Sequence, residues 1–123
     1  MPNDYTVLRG SKMAGATLWL NFLSVKAETV AAEHPEGLNA ICVGVGSGKS
    51  ADIAAQMPYR GQWMRESTVG TLRMAGYGVF RIEDDAHPAH AVLVLDGEPT
   101  GADWEGWGTL AELFGPPRPN PHY

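Results

Sequence analysis

The chain has 123 residues, 44% of them apolar and 19% charged, with a formal net charge of −5. That length is one domain and buries roughly 65% of its unfolded surface, so a true hydrophobic core is expected and disorder is not. The acidic balance excludes a protein that holds nucleic acid by its phosphates, and the single Cys42 excludes an internal disulfide and a zinc site built from cysteine alone.

Tyr5–Arg9 is short and β-prone and is predicted as a strand. Met13–Ala32 contains no Pro. Its apolar residues Ala14, Leu18, Phe22, Val25 and Thr29 recur at spacings of four and three, with Trp19 and Leu23 widening the stripe, which predicts an amphipathic helix. The apolar run inside it, Met13–Val25, holds 13 residues interrupted by Asn21. A helical membrane span needs about 20. No membrane partner is expected, and with Asp4 beside Arg9 and Lys12 a secretory signal fits poorly. A cytoplasmic protein is the expectation.

His34-Pro35-Glu36-Gly37 ends that helix. Asn39–Val45 is a continuous apolar run, the mark of a buried strand. Lys49–Met57 reads as a short helix stopped by Pro58. Ser67 is placed to cap another short helix through Met74, which Gly76 ends. Gly78–Glu83 and His90–Leu95 read as strands joined by a hairpin loop over Asp84–Ala89. Asp103 is placed to cap a last helix over Trp104–Phe114, stopped by Gly115-Pro116. The order β-α-β-α-α-β-β-α predicts an α+β fold: a mixed or mainly antiparallel sheet with helices packed on it. One small domain is expected over 1–115, followed by a Pro-rich flexible tail over 116–123.

Charge is unevenly distributed. From Glu83 to Pro117 there are eight acids and no Lys or Arg, whereas residues 1–82 hold six acids against eight bases. A one-signed surface attracts partners of the opposite sign. Trp104 and Trp107, three apart on the last helix, stand among Asp103, Glu105 and Glu112. Tryptophan ringed by polar groups is the composition of an interface centre. Asp96, Glu98, Asp103, Trp104, Glu105, Trp107 and Glu112 are the expected contact residues for a basic protein partner, such as a nucleic-acid-binding protein or a toxin. A bacterial or phage inhibitor, immunity protein or antitoxin would work this way, without direct contact to nucleic acid and without a cofactor.

Three other sets of residues point to chemistry. Asp84, Asp85, His87 and His90 lie within seven residues, and imidazole with carboxylate suits Zn²⁺ or Mn²⁺. Gly44-Val45-Gly46-Ser47-Gly48-Lys49-Ser50, after an apolar strand, resembles the Walker A loop of the P-loop NTPases. That resemblance implies phosphate binding by Gly46, Gly48, Lys49 and Ser50, and Ala91–Asp96 resembles the strand that delivers a magnesium-binding Asp. Val43 stands where the pattern has its first glycine. Tyr5-Thr6-Val7-Leu8-Arg9-Gly10-Ser11 is similar to the first strand of arginine-type ADP-ribosyltransferases. It implies an enzyme that uses NAD, with Arg9 and Glu66 as its catalytic candidates. Lys26 stands where that family has the second hydroxyl after Ser24, and Met64 where it has the first of two paired glutamates.

Overall fold

The computed structural model describes residues 1–11, 23–25, 38–57, 61–82, 84–95 and 105–123. In chain order its elements are β1 (Thr6–Ser11), β2 (Leu23–Val25), β3 (Leu38–Gly46), α1 (Ser50–Ala55), β4 (Trp63–Thr68), α2 (Val69–Met74), β5 (Gly78–Arg81), β6 (His90–Val94), α3 (Glu105–Leu113) and β7 (Arg118–Pro119). The strands form one sheet in the order β5-β6-β3-β1-β4-β7, with β2 also on β3. Every described pairing is antiparallel. The expected α+β class is thus found, as a single small antiparallel sheet with short helices.

Alternation along β3 makes two unlike faces. Ile41, Val43 and Val45 point to one side, where they join Val7, Val79, Ala91 and Leu93. Val69 and Leu72 of α2, Leu110 of α3 and Phe114 just after it close over them. Fully burying a Leu, Ile or Val contributes about 1.5–3 kcal/mol, so this cluster carries most of the stability. The opposite side presents Ala40, Cys42, Gly44 and Gly46. Ile53 and Ala54 of α1 and Met57 pack there with Leu8 and Met64.

Local signals set the helix ends. Thr68, not Ser67, caps α2: its Oγ1 accepts the Thr71 N–H at 3.2 Å. Ser67 faces the other way and donates to the Leu113 carbonyl at 2.7 Å. At the far end Tyr77 N–H reaches the Leu72 carbonyl and Gly76 N–H the Arg73 carbonyl. This is the Schellman arrangement, and it requires the left-handed backbone that Gly76 adopts at φ 94°.

Three elements depart from expectation. Leu23–Val25, read as part of the long helix, is strand β2, paired with Leu38–Ala40; the rest of that helix lies outside the described residues. Trp63–Thr68, predicted as no element beyond the Ser67 cap, is the long strand β4 beside β1. The proline-rich end, expected to be a flexible tail, makes specific contacts instead. Arg118 and Pro119 pair with Met64 and Trp63. Asn120 is buried and donates from Nδ2 to the Gly61 carbonyl at 3.0 Å. His122 donates from Nε2 to the Ala51 carbonyl at 2.7 Å. No described helix is long and apolar enough to cross a membrane.

Candidate functional site

The β5–β6 hairpin gathers one carboxylate and two imidazoles into a hydrogen-bonded cluster. Asp84 opens the loop and organises it. Its Oδ1 accepts the N–H groups of Ala86 and His87, both at 3.2 Å, which folds the chain back as Asp does in turns. Its Oδ2 receives Nδ1 of His87 at 3.1 Å and Nδ1 of His90 at 3.0 Å. Burial pushes the Asp84 carboxyl up, but the hydrogen bonds from His90 and His87 and the proximity of His87 outweigh it. The group is held below its ordinary value of 3.8. An ionised carboxylate only accepts, so each ring carries its proton on Nδ1.

That assignment leaves Nε2 of a neutral His90 as a lone pair. It points at Cys42, whose Sγ is 3.9 Å away. The sheet register explains the meeting. Gly44 stands opposite His90 and Cys42 opposite Val92, so Cys42 and His90 are diagonal neighbours on one face, within reach of long side chains. Burial pushes the Cys42 thiol up, and the charge of Arg9 offsets part of that rise. Cys42 is therefore a protonated, half-buried thiol rather than a ready nucleophile.

Of the residues expected at a metal site, Asp84, His87 and His90 converge, while Asp85 is exposed and stays outside the cluster. Among the described residues no group of three ligand-type side chains is arranged to hold a metal ion.

The glycine-rich loop follows β3 and opens α1 as expected, but Gly44 and Gly46 have a packing cause, whereas a Cβ at Gly48 would meet nothing within 4 Å. A Cβ on Gly44 would come within 2.5 Å of Met57 Cγ and Sδ, and one on Gly46 within 2.9 Å of Ile53 Cγ1. The glycines let α1 lie close against the sheet. A cavity of about 470 Å³ does border the loop, lined in part by Ser47, Gly48, Asp52 and Arg81. Asp52 occupies the first turn of α1, where it competes with any phosphate for the helix N-terminus. β6 beside β3 is antiparallel to it, unlike the parallel sheet of a doubly wound nucleotide-binding fold. Asp96 lies outside the described residues.

Arg9 and Glu66 do not share a site. Arg9 stands opposite Arg65 and Glu66 opposite Leu8, so the pleat sends them to different faces. Arg9 is only 4% exposed and donates from Nη1 to the Cys42 carbonyl at 3.0 Å. Its place is inside the fold, tying β1 to β3. Ser24 does sit on a strand, β2, as the transferase resemblance asks.

In the acidic C-terminal third, Asp96, Glu98, Asp103 and Trp104 lie outside the described residues. Glu105 and Trp107 are on α3, with their side chains also outside them. Glu112 is exposed on α3, as are Gly108 and Thr109. Leu110, with no exposed surface, and Phe114 anchor the inner side of the helix. Arg65 reaches over from β4, donating from Nε to the Gly115 carbonyl at 2.8 Å and from Nη2 to the Ala111 carbonyl at 3.1 Å.

Sequence reasoning missed Cys42 as a member of the hairpin cluster. Its apolar neighbours marked it as core, and only the β3–β6 register reveals His90 beside it. No protein-family model matches the chain, and no curated protein or solved structure matches it.

Proposed function

We propose that the chain is a small protein-binding module whose acidic C-terminal third engages a basic partner surface, in the manner of an inhibitor, immunity protein or antitoxin. The observation that carries this is the segregation of charge: eight acids and no Lys or Arg between Glu83 and Pro117. The placement of α3 favours it. Leu110 and Phe114 fasten the helix to the sheet, so its outer side is free to carry charge. Glu112 sits exposed in the last turn, with no basic residue in that turn. The helix dipole opposes a carboxylate there by a few tenths of a kcal/mol, so its position is poorly explained by stability. Arg65, the described base bonded to α3, is directed at backbone carbonyls.

Charge complementarity mainly sets association rate and specificity, and affinity comes from a desolvated centre, for which Trp104 and Trp107 are the candidates. The partner would be a nucleic-acid-binding or nucleic-acid-cleaving protein whose basic groove is occupied.

The experiment is affinity capture from a cell extract with two baits, the wild type and the triple variant Glu98→Lys, Asp103→Lys, Glu105→Lys. A basic protein retained by the first bait and lost from the second is expected. Equal retention of the same proteins by both would refute the electrostatic reading.

A further inference from the structure

We propose that a cleft of about 470 Å³, bordered by α2, β5 and the segment before β1, binds a small organic dianion gripped by Arg73 and Arg81. That volume lies in the range of small-molecule sites. The chain as a whole carries a charge of −5, yet two guanidiniums line this cleft and no described Asp or Glu does. A cleft lined by one sign of charge focuses the field and concentrates ions of the opposite sign. Tyr5, Val79 and Phe80 supply apolar wall, so the ligand that fits has an apolar body as well as its charge.

Both guanidiniums are already held in place. Arg73 donates from Nη1 to the Met1 carbonyl at 2.6 Å and to Asn3 Oδ1 at 2.9 Å. Arg81 donates from Nη1 to the Pro88 carbonyl at 2.9 Å. These acceptors are uncharged oxygens, so the bonds orient the cations without neutralising them. No bond to a described residue uses Nε or Nη2 of either side chain. Those donors are left for the forked contact that a guanidinium makes with phosphate or carboxylate. The backbone beside them is fixed as well: the Asn3 and Tyr5 carbonyls accept the N–H groups of Gly70 and Val69 at 2.8 and 3.0 Å. Helix stability accounts for a cation in the last turn of α2. It does not account for the second cation on β5.

Tyr5 and Arg81 also line the cavity beside the glycine-rich loop, so the two spaces adjoin. Asp52 lines that second space and repels an anion from it. The dianion therefore belongs on the Arg73 side. Both arginines precede the acidic window that begins at Glu83, so this site stands or falls independently of the partner-binding reading.

The test is an amide NMR titration of the full chain with phenyl phosphate at low salt, against inorganic phosphate and benzyl alcohol. Phenyl phosphate should bind saturably with a Kd near or below about 1 mM, with shifts centred on Tyr5, Arg73 and Val79–Arg81. Inorganic phosphate should bind about tenfold more weakly for want of the apolar body, and benzyl alcohol should cause no saturable shift. Arg73→Gln and Arg81→Gln should each weaken phenyl phosphate binding by about tenfold or more, while Arg118→Gln, on β7, should leave it unchanged. The proposal is overturned if the wild type shows no saturable shift with phenyl phosphate, a readout that needs no variant to fold. It is equally overturned if inorganic phosphate binds as tightly, or if both cleft variants bind like the wild type.

Discussion

The two faces of β3 are built to different purposes. One carries Ile41, Val43 and Val45, all essentially without exposed surface, under α2 and α3. The other carries Ala40, Cys42, Gly44 and Gly46, with α1 pressed against the glycines and the Asp84–His90–Cys42 chain beside them. Branched side chains that interlock give stability and leave no room for chemistry. Small and titratable side chains on the reverse give up packing and gain a polar cluster. Motifs that look like chemistry in the sequence divide accordingly: Gly44 and Gly46 of the glycine loop admit the close packing of Met57 and Ile53, and the histidine loop is drawn into a cluster.

The largest effect should come from opening the first face. Leu110→Ala removes a fully buried side chain and is expected to cost about 2–5 kcal/mol in urea unfolding. A cost under about 1 kcal/mol would mean that α3 is not part of the core. Next is the reverse face. Gly44→Val drives a branched side chain into Met57, whose Cγ and Sδ already lie 2.5 Å from a Cβ position, at a cost of about 1–3 kcal/mol. If the glycine instead served a phosphate, the variant would keep its melting temperature.

A smaller effect tests the turn into α2. Thr68→Ala removes the bond accepted from Thr71 N–H and should cost about 1 kcal/mol. Ser67→Ala, by contrast, should leave the helix start intact and loosen α3, because Ser67 bonds Leu113.

The smallest effect is confined to acid. The folded-state pKa of Asp84 is depressed, so its contribution is present above the unfolded value near 3.9 and is lost as pH falls through the folded value. Melting temperatures between pH 2 and pH 7 should therefore show a steeper acid limb for the wild type than for Asp84→Asn. Parallel curves would mean that the hairpin bonds do not persist in solution.

Legibility followed locality. β3, β5 and β6 read directly as apolar or alternating runs, and α2 and α3 from their stop signals. β4 was hidden because its inward side carries Arg65 and Ser67, which spend their polarity on the carbonyls of Ala111, Leu113 and Gly115. A pattern that counts only apolar residues passes over such a strand. β2 fell inside a stretch with helical spacing, and pairing with β3 overrode that preference. The tail was misread because prolines argue against structure, while Asn120 anchors it through hydrogen bonds to the carbonyls of Gly61 and Gln62 and His122 through one to Ala51. In the candidate site, Asp84, His87 and His90 were visible because seven residues hold them. Cys42 was not, because it lies 48 residues from His90 and the two meet only through the sheet register.

The central claim is that an acidic surface steers this chain onto a basic partner. Its most direct test is the association rate constant for the captured partner, measured for the wild type and for the Glu98→Lys, Asp103→Lys, Glu105→Lys variant over a range of ionic strength. The wild-type rate should fall steeply with salt, and the variant should associate at least about tenfold more slowly at low salt, with a flatter dependence. A wild-type rate that ignores salt, or a variant that associates equally fast, would contradict the account.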